Sequence, residues 1–84
     1  MRRSKMVDRF ADEMQSQLRA NSNKGSAWKL ETVEVLLARA VEEMGEMCMA
    51  VHTGDSVEVA AEAADVANFC MFIVEVMRER ETGQ

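Results

Sequence analysis

Two acidic patterns stand out as residues able to do chemistry. Glu42-Glu43-Met44-Gly45-Glu46 sets acids at i, i+1 and i+4, and Glu62-Ala63-Ala64-Asp65 sets a second pair at i and i+3. On a helix, positions three and four apart share a face, so each group would project its carboxyls in one direction. Carboxylates brought together cannot all ionise without a cation, because like charges disfavour ionisation. The donors are all oxygen, with no histidine or cysteine placed to join them. That selects a hard divalent ion, Mg²⁺ or Mn²⁺, over zinc or copper. Mg²⁺ keeps several waters and shares its shell with substrate phosphates, which points to phosphoryl or phosphoanhydride chemistry.

The elements that must position these acids are helices. The chain has no proline, no tyrosine and four glycines in 84 residues, and eight methionines together with many Ala, Leu, Glu and Arg. These residues favour helix, and the shortage of turn residues argues against a β fold. Val7, Phe10, Met14 and Leu18 give a helical stripe over about residues 4 to 20. Asn21 to Ser26 is a loop in composition. Val33, Leu37, Ala40, Met44, Met47 and Val51 mark a second helix from about Leu30, ending at His52-Thr53-Gly54, where glycine suits a left-handed terminus. Asp55, with Glu58 three residues on, has the form of a capping box opening a third helix to about Arg80.

The third helix is apolar on nearly every side from Val59 to Val74, which implies burial on all sides. An 84-residue chain can hardly surround it, so an oligomer is expected. Its polar residues in that stretch are Glu62, Asp65 and Asn68, at successive i+3 positions. Unpartnered burial of the two acids would cost several kcal/mol each, so something must compensate them.

A tight connection makes the second and third helices antiparallel neighbours. With the turn centred on Gly54, residues equidistant from it lie at one level. Glu46 then faces Glu62, and Glu43 faces Asp65; Met49/Val59, Val35/Ile73 and Leu36/Phe72 become apolar pairs. The other acidic i, i+3 pairs, Glu31/Glu34 and Asp55/Glu58, mirror onto Met77/Val74 and Thr53/Ala50, with no acid among them. Two acidic pairs in mutual register therefore carry more weight than either alone. The competing account is a salt-bridged surface in which Arg39 pairs with Glu43 at i+4. That account leaves Glu62 and Asp65 without a cation, since their helix has no Lys or Arg before Arg78.

Composition bounds the rest. Fifteen acidic against ten basic residues give −5, which discourages stable nucleic-acid binding. The basic cluster Arg2, Arg3, Lys5 and Arg9 reads as a solvated end. The first residues lack an apolar signal region, and the longest apolar run, Phe69 to Val74, is far short of a bilayer span. Cys48 and Cys70 form no metal-type cluster, and a reducing, cytoplasmic setting with no membrane contact is expected. His52 and both cysteines read as structural, and the methionines as adaptable core fillers.

Glu42-Glu43-x-x-Glu46 followed by Glu62-x-x-Asp65 resembles the EExxE…ExxD signature of MazG-like nucleotide pyrophosphohydrolases. That all-α superfamily also includes dimeric dUTPases and phosphoribosyl-ATP pyrophosphohydrolase. The likeness runs from about Lys24 to Met77; Asn23-Lys24-Gly25…Trp28 and the Glu62–Phe69 segment look most like short phage and prophage members. The resemblance implies cleavage of a nucleoside triphosphate between its α and β phosphates, giving a monophosphate and pyrophosphate. It implies Glu43, Glu46, Glu62 and Asp65 as Mg²⁺ ligands, with Glu42 binding a second metal or orienting the attacking water. It also implies an aromatic near Trp28 against the base; the alternative is that Trp28 plugs the end of the bundle. Lys24 is either a phosphate contact or a solvated lysine. Asn68 either contacts sugar, supports a ligand, or is a satisfied core asparagine.

The expected architecture is a single all-α domain over residues 1–84, with 1–5 and 81–84 as frayed tails. It is a helical hairpin plus an N-terminal helix, assembled into a four-helix-bundle-type homodimer or homotetramer. A second protomer completing the site is what the resemblance implies. The rival from another class is a metal-binding helical interaction module without catalysis.

Overall fold

The structure, a computed structural model, describes residues 3–21 and 27–82. Among these the chain is all-helical, with α1 at Lys5–Ala20, α2 at Val33–Thr53, α3 at Ser56–Glu81, and a 3₁₀ turn at Ala27–Leu30 before α2. Each helix starts at a residue whose side chain accepts an orphan N–H. Ser4 Oγ takes the Val7 N–H at 3.0 Å, Thr32 Oγ1 takes that of Val35 at 3.1 Å, and Asp55 Oδ1 takes those of Val57 and Glu58 at 3.1 and 3.2 Å. The second helix thus begins at Val33 rather than about Leu30. Leu30 closes the 3₁₀ turn and lies exposed, and Thr32 is the first residue able to cap.

The turn between α2 and α3 is as short as the sequence implies. Gly54 adopts φ 80°, a left-handed conformation that a Cβ disfavours, and its N–H returns to the carbonyls of Ala50 and Val51. Asp55 follows at once as the cap of α3, so the two helices are antiparallel and packed along their length. The α1 helix packs on α3 as well and scarcely touches α2, so α3 lies between the other two.

The core is thin. Among the described residues Leu36 is the one large side chain fully buried, joined by Ala40, Ala50, Ala64 and Val76. Between Val59 and Val74, α3 is mostly half-buried, and only Ala64 and Asn68 there are buried. The apolar surround implied by its sequence is only partly supplied within one chain. Of the expected apolar pairs, Leu36 is buried and Phe72 half-buried, whereas Met49 remains 71% exposed. Among the described residues no helix is long and apolar enough to cross a membrane.

Since Leu36 anchors this small core, Leu36→Ala should lower the unfolding free energy by about 2–5 kcal/mol. Leu30→Ala, at a position 91% exposed, should change it by less than about 0.5 kcal/mol. Urea unfolding of both variants checks the contrast.

Candidate metal centre

The hairpin brings acids of α2 and α3 to one level. Glu43, Glu62 and Asp65 each offer a carboxylate oxygen, and these lie within 4.8 Å of one another. All three side chains are half-buried. Glu43 and Asp65 occupy mirror positions about Gly54. The other mirror pair, Glu46 and Glu62, interact as well: Glu46 is exposed at the rim and acts on the titration of both Glu43 and Glu62. Glu42 is exposed and stands outside the three-oxygen set.

Electrostatics shows how strained the cluster is without a cation. Burial, then the adjoining Glu46 and Glu43 carboxyls, push Glu62 up to about 8. Burial, then Glu46 and Asp65, also raise Glu43 above the ordinary carboxylate range. Glu62 Oε2 is closed off from solvent and has no hydrogen-bond donor. Arg39 is exposed and has no ion pair with Glu43, whereas Arg3 pairs with Asp8 at 3.1 Å and Arg78 with Glu75 at 3.3 Å. An all-oxygen donor set with an orphaned carboxylate atom fits a hard divalent cation.

Beside the cluster an open groove of about 520 Å³ runs toward the turn, lined by Glu46, Met49, Ala50, Thr53, Glu58 and Glu62. Glu58 is a residue that sequence reasoning assigns only to the cap. Its N–H does serve Asp55, and its side chain adds a further acid to the groove wall. Its i, i+4 spacing to Glu62 is the signal that could have placed it there.

The remaining candidates lie on the other side of the acids. Trp28, on the 3₁₀ turn, stacks on Phe72 with centroids 4.4 Å apart and planes 8° from parallel, and Phe72 meets Phe69 edge-on at 5.8 Å. One face of the indole is therefore covered by Phe72, and the Lys29 ammonium lies 5.7 Å from the ring centroid. Phe72 lies two turns beyond Asp65, about 10 Å along the helix at 1.5 Å per residue. Asn68 is buried and half-satisfied: Nδ2 donates to the Met14 carbonyl of α1 at 3.1 Å, while Oδ1 has no partner. The bond from Asn68 to α1 has no signature in sequence, because it joins a side chain to a backbone carbonyl 54 residues away. Lys24 lies outside the described residues.

Comparison with known proteins places residues 7–78 within the family model described as phosphoribosyl-ATP pyrophosphohydrolase. No curated protein and no solved structure matches the chain.

The raised Glu62 gives a definite pH dependence. Its folded pKa, about 8, exceeds the ordinary glutamate value of 4.5, so the folded state holds a proton that the unfolded state has lost. The associated stability is fully present below the ordinary carboxylate range and is lost as pH rises through about 8. Metal-free protein should therefore melt at a higher temperature at pH 5 than at pH 8, and Glu62→Gln should flatten the difference. Mn²⁺ or Mg²⁺ should stabilise strongly at pH 8 and weakly at pH 5, because binding must displace protons. At a hundredfold excess over Kd the gain is about 2.7 kcal/mol. Calorimetry across this pH range reads all three effects, and indifference to metal at pH 8 would remove the case for a cation site.

Proposed function

The chain belongs to the phosphoribosyl-ATP pyrophosphohydrolase family, and we propose that it is a divalent-metal-dependent pyrophosphohydrolase that cleaves a nucleoside triphosphate between its α and β phosphates. The products are a nucleoside monophosphate and pyrophosphate. The observation that carries the reading is the convergence of Glu43, Glu62 and Asp65 oxygens within 4.8 Å of one another, with Glu62 Oε2 closed off from solvent and without a hydrogen-bond donor. Such a cluster is costly in a chain of this size unless a cation offsets the repulsion. A triphosphate is the substrate class whose own charge requires the same cation.

Glu43, Glu62 and Asp65 would hold the ion, with Glu46 completing the set from the rim. Bound there, Mg²⁺ or Mn²⁺ neutralises phosphate charge and lowers the pKa of a coordinated water. The chain's own contribution is placement. The capped hairpin fixes the acids, and the groove lined by Met49, Ala50 and Thr53 gives substrate an approach beside them. Glu42, exposed one position before Glu43, is free to orient water at the edge of the cluster. Trp28 is assigned to the nucleoside end, on the side away from the groove, and Lys24 to the phosphates, while the buried Asn68 supports Asp65 from one turn away by tying α3 to α1.

A second reading narrows the substrate to phosphoribosyl-ATP, which the family description favours. It shares the triphosphate and the bond broken, so the same assay distinguishes the two.

Pyrophosphate release from a panel of ribo- and deoxyribonucleoside triphosphates and phosphoribosyl-ATP, with and without Mg²⁺, tests the proposal. Metal-dependent release should fall at least about 100-fold in Glu43→Gln and in Asp65→Asn, the order of loss when a transition-state charge stabiliser is removed. Metal-induced stabilisation without turnover on any substrate would shift the assignment to a non-catalytic helical module.

A further inference from the structure

The groove, the acids and the aromatic pair follow one another along α3. Glu58 is at the groove end, Glu62 and Asp65 come next, and Phe72, stacked on Trp28, is at the far end, about 21 Å from Glu58 along the axis at 1.5 Å per residue. A triphosphate cleaved at the acids, with its nucleoside toward Trp28, therefore lays its β and γ phosphates in the groove. The groove is a poor seat for them. Its polar lining is the carboxyl groups of Glu46, Glu58 and Glu62 and the hydroxyl of Thr53, and that hydroxyl donates its proton to the Ala50 carbonyl at 2.9 Å. The N-terminus of α3, where free N–H groups would ordinarily attract a phosphate, is already occupied. Val57 and Glu58 donate to Asp55 Oδ1, and Val59 donates to the Asp55 carbonyl at 2.9 Å.

We infer that Glu58 drives the release of pyrophosphate from this groove. The inference rests on the pyrophosphohydrolase reading and adds to it a residue that acts after the chemistry. In the cleavage the oxygen of a water bonds to the α phosphorus, and the bond from that phosphorus to the bridging oxygen breaks. The bridging oxygen leaves with the β phosphorus, and the water protons pass to solvent or to product phosphate oxygens. The fragment in the groove thereby gains negative charge, because a bridging oxygen has become a terminal oxyanion. A carboxylate on the groove wall repels that fragment more than it repels the same phosphates in the intact substrate. Such differential repulsion weakens the product without weakening the substrate equally.

Glu58 suits this role better than its neighbours. Glu46 and Glu62 stand with the ion, whose charge offsets theirs. Glu58 lies one helical turn outside, about 6 Å before Glu62 along the axis, and is exposed. Its exposure also makes its effect on the product sensitive to salt.

Pyrophosphate binding to the Mg²⁺-loaded chain by calorimetry, and pyrophosphate inhibition of turnover, test the inference with Glu58→Gln, which keeps the size and polarity of the side chain. In about 0.1 M salt the variant should bind pyrophosphate roughly fivefold more tightly by both readouts, while KM for the triphosphate falls by less than about twofold. In about 1 M salt, where the screening length is about 3 Å, the variant and the wild type should bind it alike. Glu34→Gln, the same charge change in the exposed first turn of α2, should match the wild type throughout. Unchanged or weaker pyrophosphate binding in Glu58→Gln, the same gain in Glu34→Gln, an equal fall in KM, or a gain that persists at high salt would each overturn the inference and leave the catalytic reading in place. A wild type that releases no pyrophosphate from any substrate would instead remove that reading, and the release role with it.

Discussion

Mutual repulsion among carboxylates governs this structure. An antiparallel hairpin with a single-glycine turn has little freedom of register, so it forces Glu43 against Asp65 and Glu46 against Glu62. The energy of that arrangement depends on what neutralises it. In the absence of a cation the cluster holds a proton on Glu62, raised to about 8, and leaves Oε2 of the same residue without a donor. A protonated glutamate removes one charge but not the geometry. Three oxygens remain within reach of a single ion. Bringing these acids together costs the hairpin stability, and it buries little large apolar volume to offset that cost.

The rest of the fold supports that hairpin from outside. The α1 helix gives α3 a second neighbour, pinned by the Asn68 amide to the Met14 carbonyl one turn beyond Asp65. Trp28 docks the 3₁₀ turn onto Phe72. These contacts hold α1 and the 3₁₀ turn against α3, which a small core alone would leave more weakly fixed. Arginines lie near the C-terminus of α3 and acids near its start, as the helix dipole favours.

Much of this was legible in the residues themselves. Periodicity set the three helices, Gly54-Asp55 set the turn and the cap, and mirror symmetry about Gly54 put Glu43 and Asp65 at one level, where their oxygens and that of Glu62 do converge. The misjudged boundary, at the start of α2, has a local cause. Leu30 continues the apolar spacing, but Thr32 captures the first free N–H, and the 3₁₀ turn before it satisfies its own backbone. The stacking partner of Trp28 was not legible, because it follows from no repeat or local motif; the place of Glu58 in the groove wall was legible only through its i, i+4 spacing to Glu62.

By itself the sequence determined the helices, the antiparallel register and the oxygen-only chemistry of the cluster, since all three depend on interactions a few residues apart or on a turn too short to vary. Only the tertiary structure decided which acids actually converge. Glu43, Glu62 and Asp65 form the close set, Glu46 stands at the rim, and Glu42 faces solvent. It also decided that Asn68 holds α1 and that Leu37 and Val51 of the α2 repeat are left bare. Those outcomes depend on how far each side chain projects and what lies opposite it, and helical spacing alone does not contain that information.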